Sequence, residues 1–314
     1  MSFLRRIRAA SPGLRPELDD VELGRVRRQL KSSGLPGQSS IQADQVERLL
    51  RDTGTDWDRR GHRLGVLAET AAPSALARNW RLRRPRNADA LIFEAWVELF
   101  RGRYAGRMED PRAAAENCYD AADLLPEDPT PWVVLLGILR LMRAESRELI
   151  AVWHEAAARD PWNREAHLQM LRYLSPEECG SRSAQLNFVD TVRASAPPTA
   201  PTAGVELTAL VDEHTRTAAG GGVEALLVRR QWTHNRAVKA LDTALHEWPR
   251  LGGLVHAAAL ADLNLLAFAL VQAGRPSESG DAFRRIDNTV TAWPWTLIGD
   301  PLQQFTYWQS RAAA

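Results

Sequence analysis

Along this chain, blocks of helically spaced apolar residues alternate with short breaks of Gly, Pro, Ser and Thr. The spacing predicts helices over 16–31, 42–52 and 57–70, with SSGLPGQSS at 32–40 as a connecting loop. Core-facing positions return in PSALARNW at 73–80, and RLRRPRN ends that element because Pro85 disfavours helical geometry in the residue before it. From 87 to 174 the pattern is most regular. ADALIFEAWVELFRG, PRAAAENCYDAADLLP, PTPWVVLLGILRLMR, RELIAVWHEAAARDP and NREAHLQMLRYL each read as one helix. Pro111, Pro131 and Pro161 stand where a proline opens a helix without losing an internal backbone bond. Ala114, Cys118, Ala121 and Ala122 form a narrow contact face that lets helices approach closely, while Trp96, Trp132 and Trp153 fill wider gaps.

Asp128-Pro129 recurs 32 residues later as Asp160-Pro161, each behind an alanine-rich helix. That spacing is close to the length of a tetratricopeptide helix pair. Residues 175–204 break the rhythm, with one helix expected in SPEECGSRSAQLNFVDTVRAS and a loop at APPTAPTAG. VELTALVDEHTRTA resumes the helical pattern. The run Gly220-Gly221-Gly222 lacks the following Lys-Ser/Thr and the preceding strand of a phosphate loop, and so reads as a flexible corner. Residues 252–274, GGLVHAAALADLNLLAFALVQAG, read as one long apolar element, with GRPSESGDAFRRIDNTV as its turn and return helix. HEWP at 246–249 and TAWP at 291–294 echo one another at a spacing of 45 residues, as corners of successive hairpins. The expectation is an all-α fold, an irregular tetratricopeptide-like helical-repeat array over 55–314 with a loop near 194–204. A basic helical region, 1–54, precedes it.

Composition changes this picture little. The 314 residues are 45% apolar and 25% charged, ordinary for a folded globular chain. Eleven tryptophans against seven phenylalanines and four tyrosines suit wedges between irregularly spaced helices. The net charge is +1, but residues 1–86 carry eighteen Arg or Lys against ten Asp or Glu, a local balance of +8. Only Lys31 and Lys239 are lysines. Such a basic end could steer an acidic partner, a membrane surface or nucleic acid, but no aromatic-interleaved basic module or zinc finger supports nucleic-acid binding, and a solvated helical surface is the plainer reading. Cys118 and Cys179 are too few and too far apart for a disulfide scaffold or a metal cluster. MSFLRRIRAA lacks the apolar core of a signal peptide, and no stretch approaches a transmembrane helix. A reducing cytoplasm is the expected compartment.

DWDRRG at 56–61, NREAHLQMLRYLSPEECGSRSAQLNFVDTVRASAP at 163–197 and NLLAFALVQAGRPSESGDAFRRI at 264–286 resemble an uncharacterised tetratricopeptide-like bacterial family of unknown function. The resemblance covers about residues 55–308. It implies a helical fold and brings no catalytic residues or substrate with it. In that family the segment matching Gly180-Ser181 follows an aromatic-rich turn, where this chain has Glu-Glu-Cys.

Candidate chemistry is sparse. His154, Glu155, Glu165 and His167 flank an Asp-Pro-Trp corner, but neither His/Glu pair shares a helix face, and position 158 is alanine where a His-Glu-x-x-His site needs histidine. Asp56 reads as a helix N-cap and Asp58 as a carboxylate at that helix's positive end. Ser181 and Ser183 lack a nucleophile elbow. Cys118 reads as buried, and Cys179 as the more accessible thiol near a turn. No catalytic residue, cofactor or metal ligand is expected. The reading is a non-enzymatic scaffold or adaptor that takes a protein or peptide in a helical groove. Arg78, Asn79, Trp80, Arg81 and Arg84 are its candidate contact residues, because arginine pairs with carboxylates while indole supplies apolar area. An unpaired alanine-rich face would also favour self-association. The alternative is a helical hydrolase or transferase with a site near His154 and His167.

Overall fold

The computed structural model describes residues 11–32, 38–197, 199–221 and 228–312. Expectations for residues 1–10, for the loop centre at 33–37 and for Gly222 fall outside that set. The protein is all-α. The described residues contain fifteen α-helices and one pair of two-residue strands, β1 (Gly13–Leu14) and β2 (Thr289–Val290), which run parallel. They fall into two compact units. The larger is Asp20–Ala209 with Val255–Ala258; the smaller is Met1–Asp19, Leu210–Leu254 and Ala259–Ala314.

In the larger unit the order is α1 (Val21–Lys31), α2 (Gln38–Arg51), α3 (Trp57–Ala71), α4 (Leu76–Arg83), α5 (Ala88–Ala105), α6 (Pro111–Leu124), α7 (Thr130–Leu141), α8 (Ser146–Arg159), α9 (Arg164–Tyr173) and α10 (Arg182–Ser195). Side-chain caps set many of the starts. Asp20, Asp56, Asn87, Asp110, Asn163 and Ser181 each accept the backbone N–H three residues ahead, so these helices begin where a short polar side chain replaces the missing carbonyl. The Asp20 cap is why α1 starts at Val21 and not at 16. Pro111 opens α6 and Pro131 lies in the first turn of α7, whereas Pro161 sits in the turn before Asn163.

The two Asp-Pro corners share a local geometry. The Asp128 carboxylate accepts the Thr130 N–H at 2.8 Å, and that of Asp160 accepts the Trp162 N–H at 3.3 Å. One apolar cluster runs from Leu23, Val46 and Leu50 through Leu64, Leu67, Phe93 and Leu136 to Ala156 and Met170, passing across residue 54 without a break.

Helices α3, α5, α7 and α9 run in the same direction. Arg60 meets Asp89, Gly65 faces Trp96 and Arg101 reaches the Ala72 carbonyl, so residue numbers rise together along α3 and α5. Likewise Gly137 faces Leu99, Gly102 faces Leu141, and Arg140 bonds Gln169. The intervening helices carry the chain back.

The smaller unit contains α12 (Asn235–Glu247), α13 (Ala259–Gln272), α14 (Gly280–Ile286) and α15 (Pro301–Ala312). Helix α11 (Val205–Ala219) contains the division between the units. The long element expected over 252–274 is helical only from Ala259. Gly252 has φ of 78°, outside the helical region, and the Ala257 N–H is donated to the Asp58 side chain and not to a helical carbonyl. Within α13, the buried Asn264 amide donates to the Leu260 and Thr289 carbonyls and accepts the Trp295 indole N–H, using both of its ends. The HEWP and TAWP corners differ in environment: Trp248 is buried, whereas Trp293 is partly exposed, and the buried ring there is Trp295.

Candidate functional site

The residues of the sequence motifs do not all meet at one place. Trp80, expected as an exposed contact, is 1% exposed, its ring packed on Phe93 with centroids 5.6 Å apart. The short helix α4 lies against α2 and α5, which turns its C-terminal indole inward. Arg81 pairs with Glu94, and Arg84 with Asp44 at 2.7 Å and with Glu47, so both guanidiniums are held within the molecule. Arg78 and Asn79 are exposed.

His154 is exposed on α8, whereas His167 is 3% exposed and boxed by Trp153, Trp162 and Phe188. Burial pushes the His167 pKa down despite a 2.8 Å contact between Nδ1 and the Asn163 carbonyl, so the ring sits neutral in an aromatic box. Cys118 is buried, which pushes its thiol up, and Cys179 is exposed. No group of three or more His, Cys, Asp or Glu is arranged to hold a metal ion among the described residues. No described helix is long and apolar enough to cross a membrane.

A cleft of about 220 Å³ opens elsewhere in the larger unit. One wall is a single face of α3, formed by Asp58, Gly61, His62, Gly65, Val66 and Glu69 at helical spacing. The opposite walls are Trp96, Phe100 and Arg103 of α5, and Arg164, Glu165 and Arg172 of α9 with the cap Asn163; Ala258 closes one end. The α3 wall is shaped by what it lacks. A methyl at Gly65 would stand 3.3 Å from the Trp96 ring, so glycine there lets the indole lie close against the helix. A methyl at Gly61 would meet nothing within 4 Å. Packing therefore does not require glycine at that point, yet a mid-helix glycine costs about 0.5–1 kcal/mol relative to alanine.

The motif DWDRRG supplies three separate anchors for this wall. The Asp56 carboxylate caps α3 by accepting the Arg59 N–H at 3.0 Å. Arg60 points the other way, into the core, where it bonds Asp128 at 2.8 Å and Asp89 at 2.5 Å. Burial alone would lower the Arg60 pKa, but the two carboxylates raise it, so this guanidinium is charged and paired with both. Asp58 accepts the Ala257 N–H at 2.5 Å, fastening the segment Val255–Ala258 beside the helix start. Burial pushes the Asp58 carboxyl above the usual carboxylate range, against the opposing pull of the Ala257 N–H, His256 and Arg164.

Behind the cleft, buried Arg140 of α7 donates to the Gln169 side-chain carbonyl at 2.7 Å and pairs with Glu178. Burial lowers its pKa against the pull of Glu178, and the charges of Arg172 and Arg103 lower it further. Gln169 in turn donates to Glu165 at 2.6 Å, and Arg172 stands 3.9 Å from the same carboxylate. Glu69 accepts the Tyr104 hydroxyl at 2.7 Å.

Asp58 and Gly61 thus meet Asn163, Arg164, Glu165 and Arg172 at the cleft although the two stretches lie a hundred residues apart. Sequence reasoning named Asp58 only as a carboxylate at the helix start and Trp96 only as a gap-filler, and it did not single out Gly61, Gly65, Phe100 or Arg103. The available signal was the pair of glycines four apart inside an otherwise strong helical pattern. Fold and cleft define an all-α protein with a side-chain-lined groove across parallel helices. No protein-family model matches the chain, and no curated protein matches it.

Proposed function

We propose that this chain is a non-enzymatic binding module, an irregular tetratricopeptide-like array that takes a segment of a partner protein into the cleft between α3, α5 and α9. The observation that carries this reading is Gly61: a glycine in mid-helix whose missing side chain faces open space and widens the cleft. The walls suit an extended peptide. Trp96, Phe100 and Val66 offer apolar area, while charged groups of both signs rim it. The intramolecular pairing of Arg81 and Arg84 weakens α4 as a contact surface and supports the choice of this cleft. Free cysteines and the resemblance noted for 56–61, 163–197 and 264–286 fit an adaptor working in the cytoplasm.

The test compares the full-length chain with Gly61→Phe as baits in native cell extract, after circular dichroism has shown equal helicity. The expected result is a protein recovered in stoichiometric amount by the parent chain and at least tenfold less by the variant. Equal recovery by both would place binding outside the cleft.

A further inference from the structure

We infer that the cleft recognises an extended segment carrying an apolar side chain and, two residues further on, a glutamate. This deepens the binding-module reading and depends on it. The argument rests on which hydrogen-bonding capacity in the cleft is already used. Each lining carboxylate has a donor inside the protein: Asp58 has the Ala257 N–H, Glu69 the Tyr104 hydroxyl, and Glu165 the Gln169 amide. Arg103 differs. It has no carboxylate partner among the described residues, and its guanidinium lies over the Phe100 ring, 5.5 Å from the centroid. Among the described residues Arg172 has only the 3.9 Å approach to Glu165, beyond hydrogen-bond distance.

The unused capacity is therefore cationic donor, and the matching ligand group is an acceptor with negative charge. One carboxylate fits better than a dianion, because Glu69 and Glu165 border the same space. Geometry sets the spacing. Trp96 and Arg103 are seven positions apart on α5, an axial separation of about 10 Å. Side chains at i and i+2 of an extended peptide share a face and stand about 7 Å apart at the backbone. The length of a glutamate side chain makes up the difference. A single residue with a free α-carboxylate is too short to span both.

The experiment uses the full-length protein and four probes: acetyl-Leu-Ala-Glu-amide, its Gln and Lys counterparts, and N-acetyl-leucine. Binding is read from the Trp96 indole N–H resonance, assigned with Trp96→Phe. The glutamate peptide is expected to bind about fivefold more tightly than the glutamine one, and the lysine peptide more weakly still. Arg103→Gln, a change at an exposed position, should lower the glutamate peptide's affinity to about that of the glutamine one, erasing the Glu/Gln difference. If the Gln or Lys peptide binds as well as the Glu peptide, the cleft reading stands and the acidic specificity is overturned. Binding of N-acetyl-leucine alone would overturn it in favour of a chain terminus. If none of the four moves the Trp96 resonance, both readings fall together.

Discussion

At the scale of single residues, the informative positions are those where local preference is set aside. Gly61 and Gly65 stand within the continuous helix α3 in different surroundings. A methyl at Gly65 would crowd the Trp96 ring; one at Gly61 would meet nothing in the fold. Gly61→Ala is therefore expected to stabilise the protein by about 0.5–1 kcal/mol, since alanine adopts the same helical backbone and restricts the unfolded chain. Urea unfolding at constant slope would check this, and a loss of stability would mean that the helix is not regular there. His167 carries the opposite lesson. The sequence offered it only as part of the alternative enzyme site beside His154, and in the fold three aromatic rings surround it while burial lowers its pKa. Trp80 shows why: periodicity separates buried from exposed faces of a helix, but it does not reveal which ring near a helix end turns inward.

At the scale of elements, the alignment of α3 depends on a buried ionic link and not on its apolar face alone. Arg60 reaches from the motif on α3 to Asp128 in the corner before α7 and to Asp89 in the first turn of α5. Asp128 has no exposed surface, and it also holds the Thr130 N–H. Arg60→Met would leave that carboxylate buried without its cation, an expected loss of about 3–5 kcal/mol in denaturant unfolding. Adding Asp128→Asn to the same chain should recover part of the loss. A double variant as unstable as the sum of the two single changes would show that the partners act independently. The helices themselves were legible in the sequence because caps and prolines mark their ends: Asn87, Asp110 and Asn163 stand one residue before a helical run. The direction shared by α3, α5, α7 and α9 was not legible, because it follows from pairs such as Gly65 with Trp96 and Arg140 with Gln169, which no spacing along the chain announces.

At the scale of the whole molecule, the main departure from the sequence reading lies at 252–258. Its apolar run invites a helix, and local preference alone would grant one. Gly252 in the left-handed region and a long-range bond from Ala257 to Asp58 overrule it. Ala257→Pro would remove that donor and leave a mostly buried carboxylate one partner short. The expected loss is about 1–3 kcal/mol, with faster amide exchange in the first turn of α3. No change in exchange there would mean that the segment is not fastened through this bond.

The same segment bears on how the protein is made. A ribosome delivers α1 to α10 well before residues 255–258, and α12 is synthesised in between. The larger unit can bury its apolar cluster while still attached, but its last four residues arrive only after part of the smaller unit has emerged. Until then Asp58 lacks the Ala257 amide and the end of the cleft lacks Ala258. A nascent chain would thus hold a folded helical body with an unfinished cleft, and under the proposed function competence to bind would come late in translation.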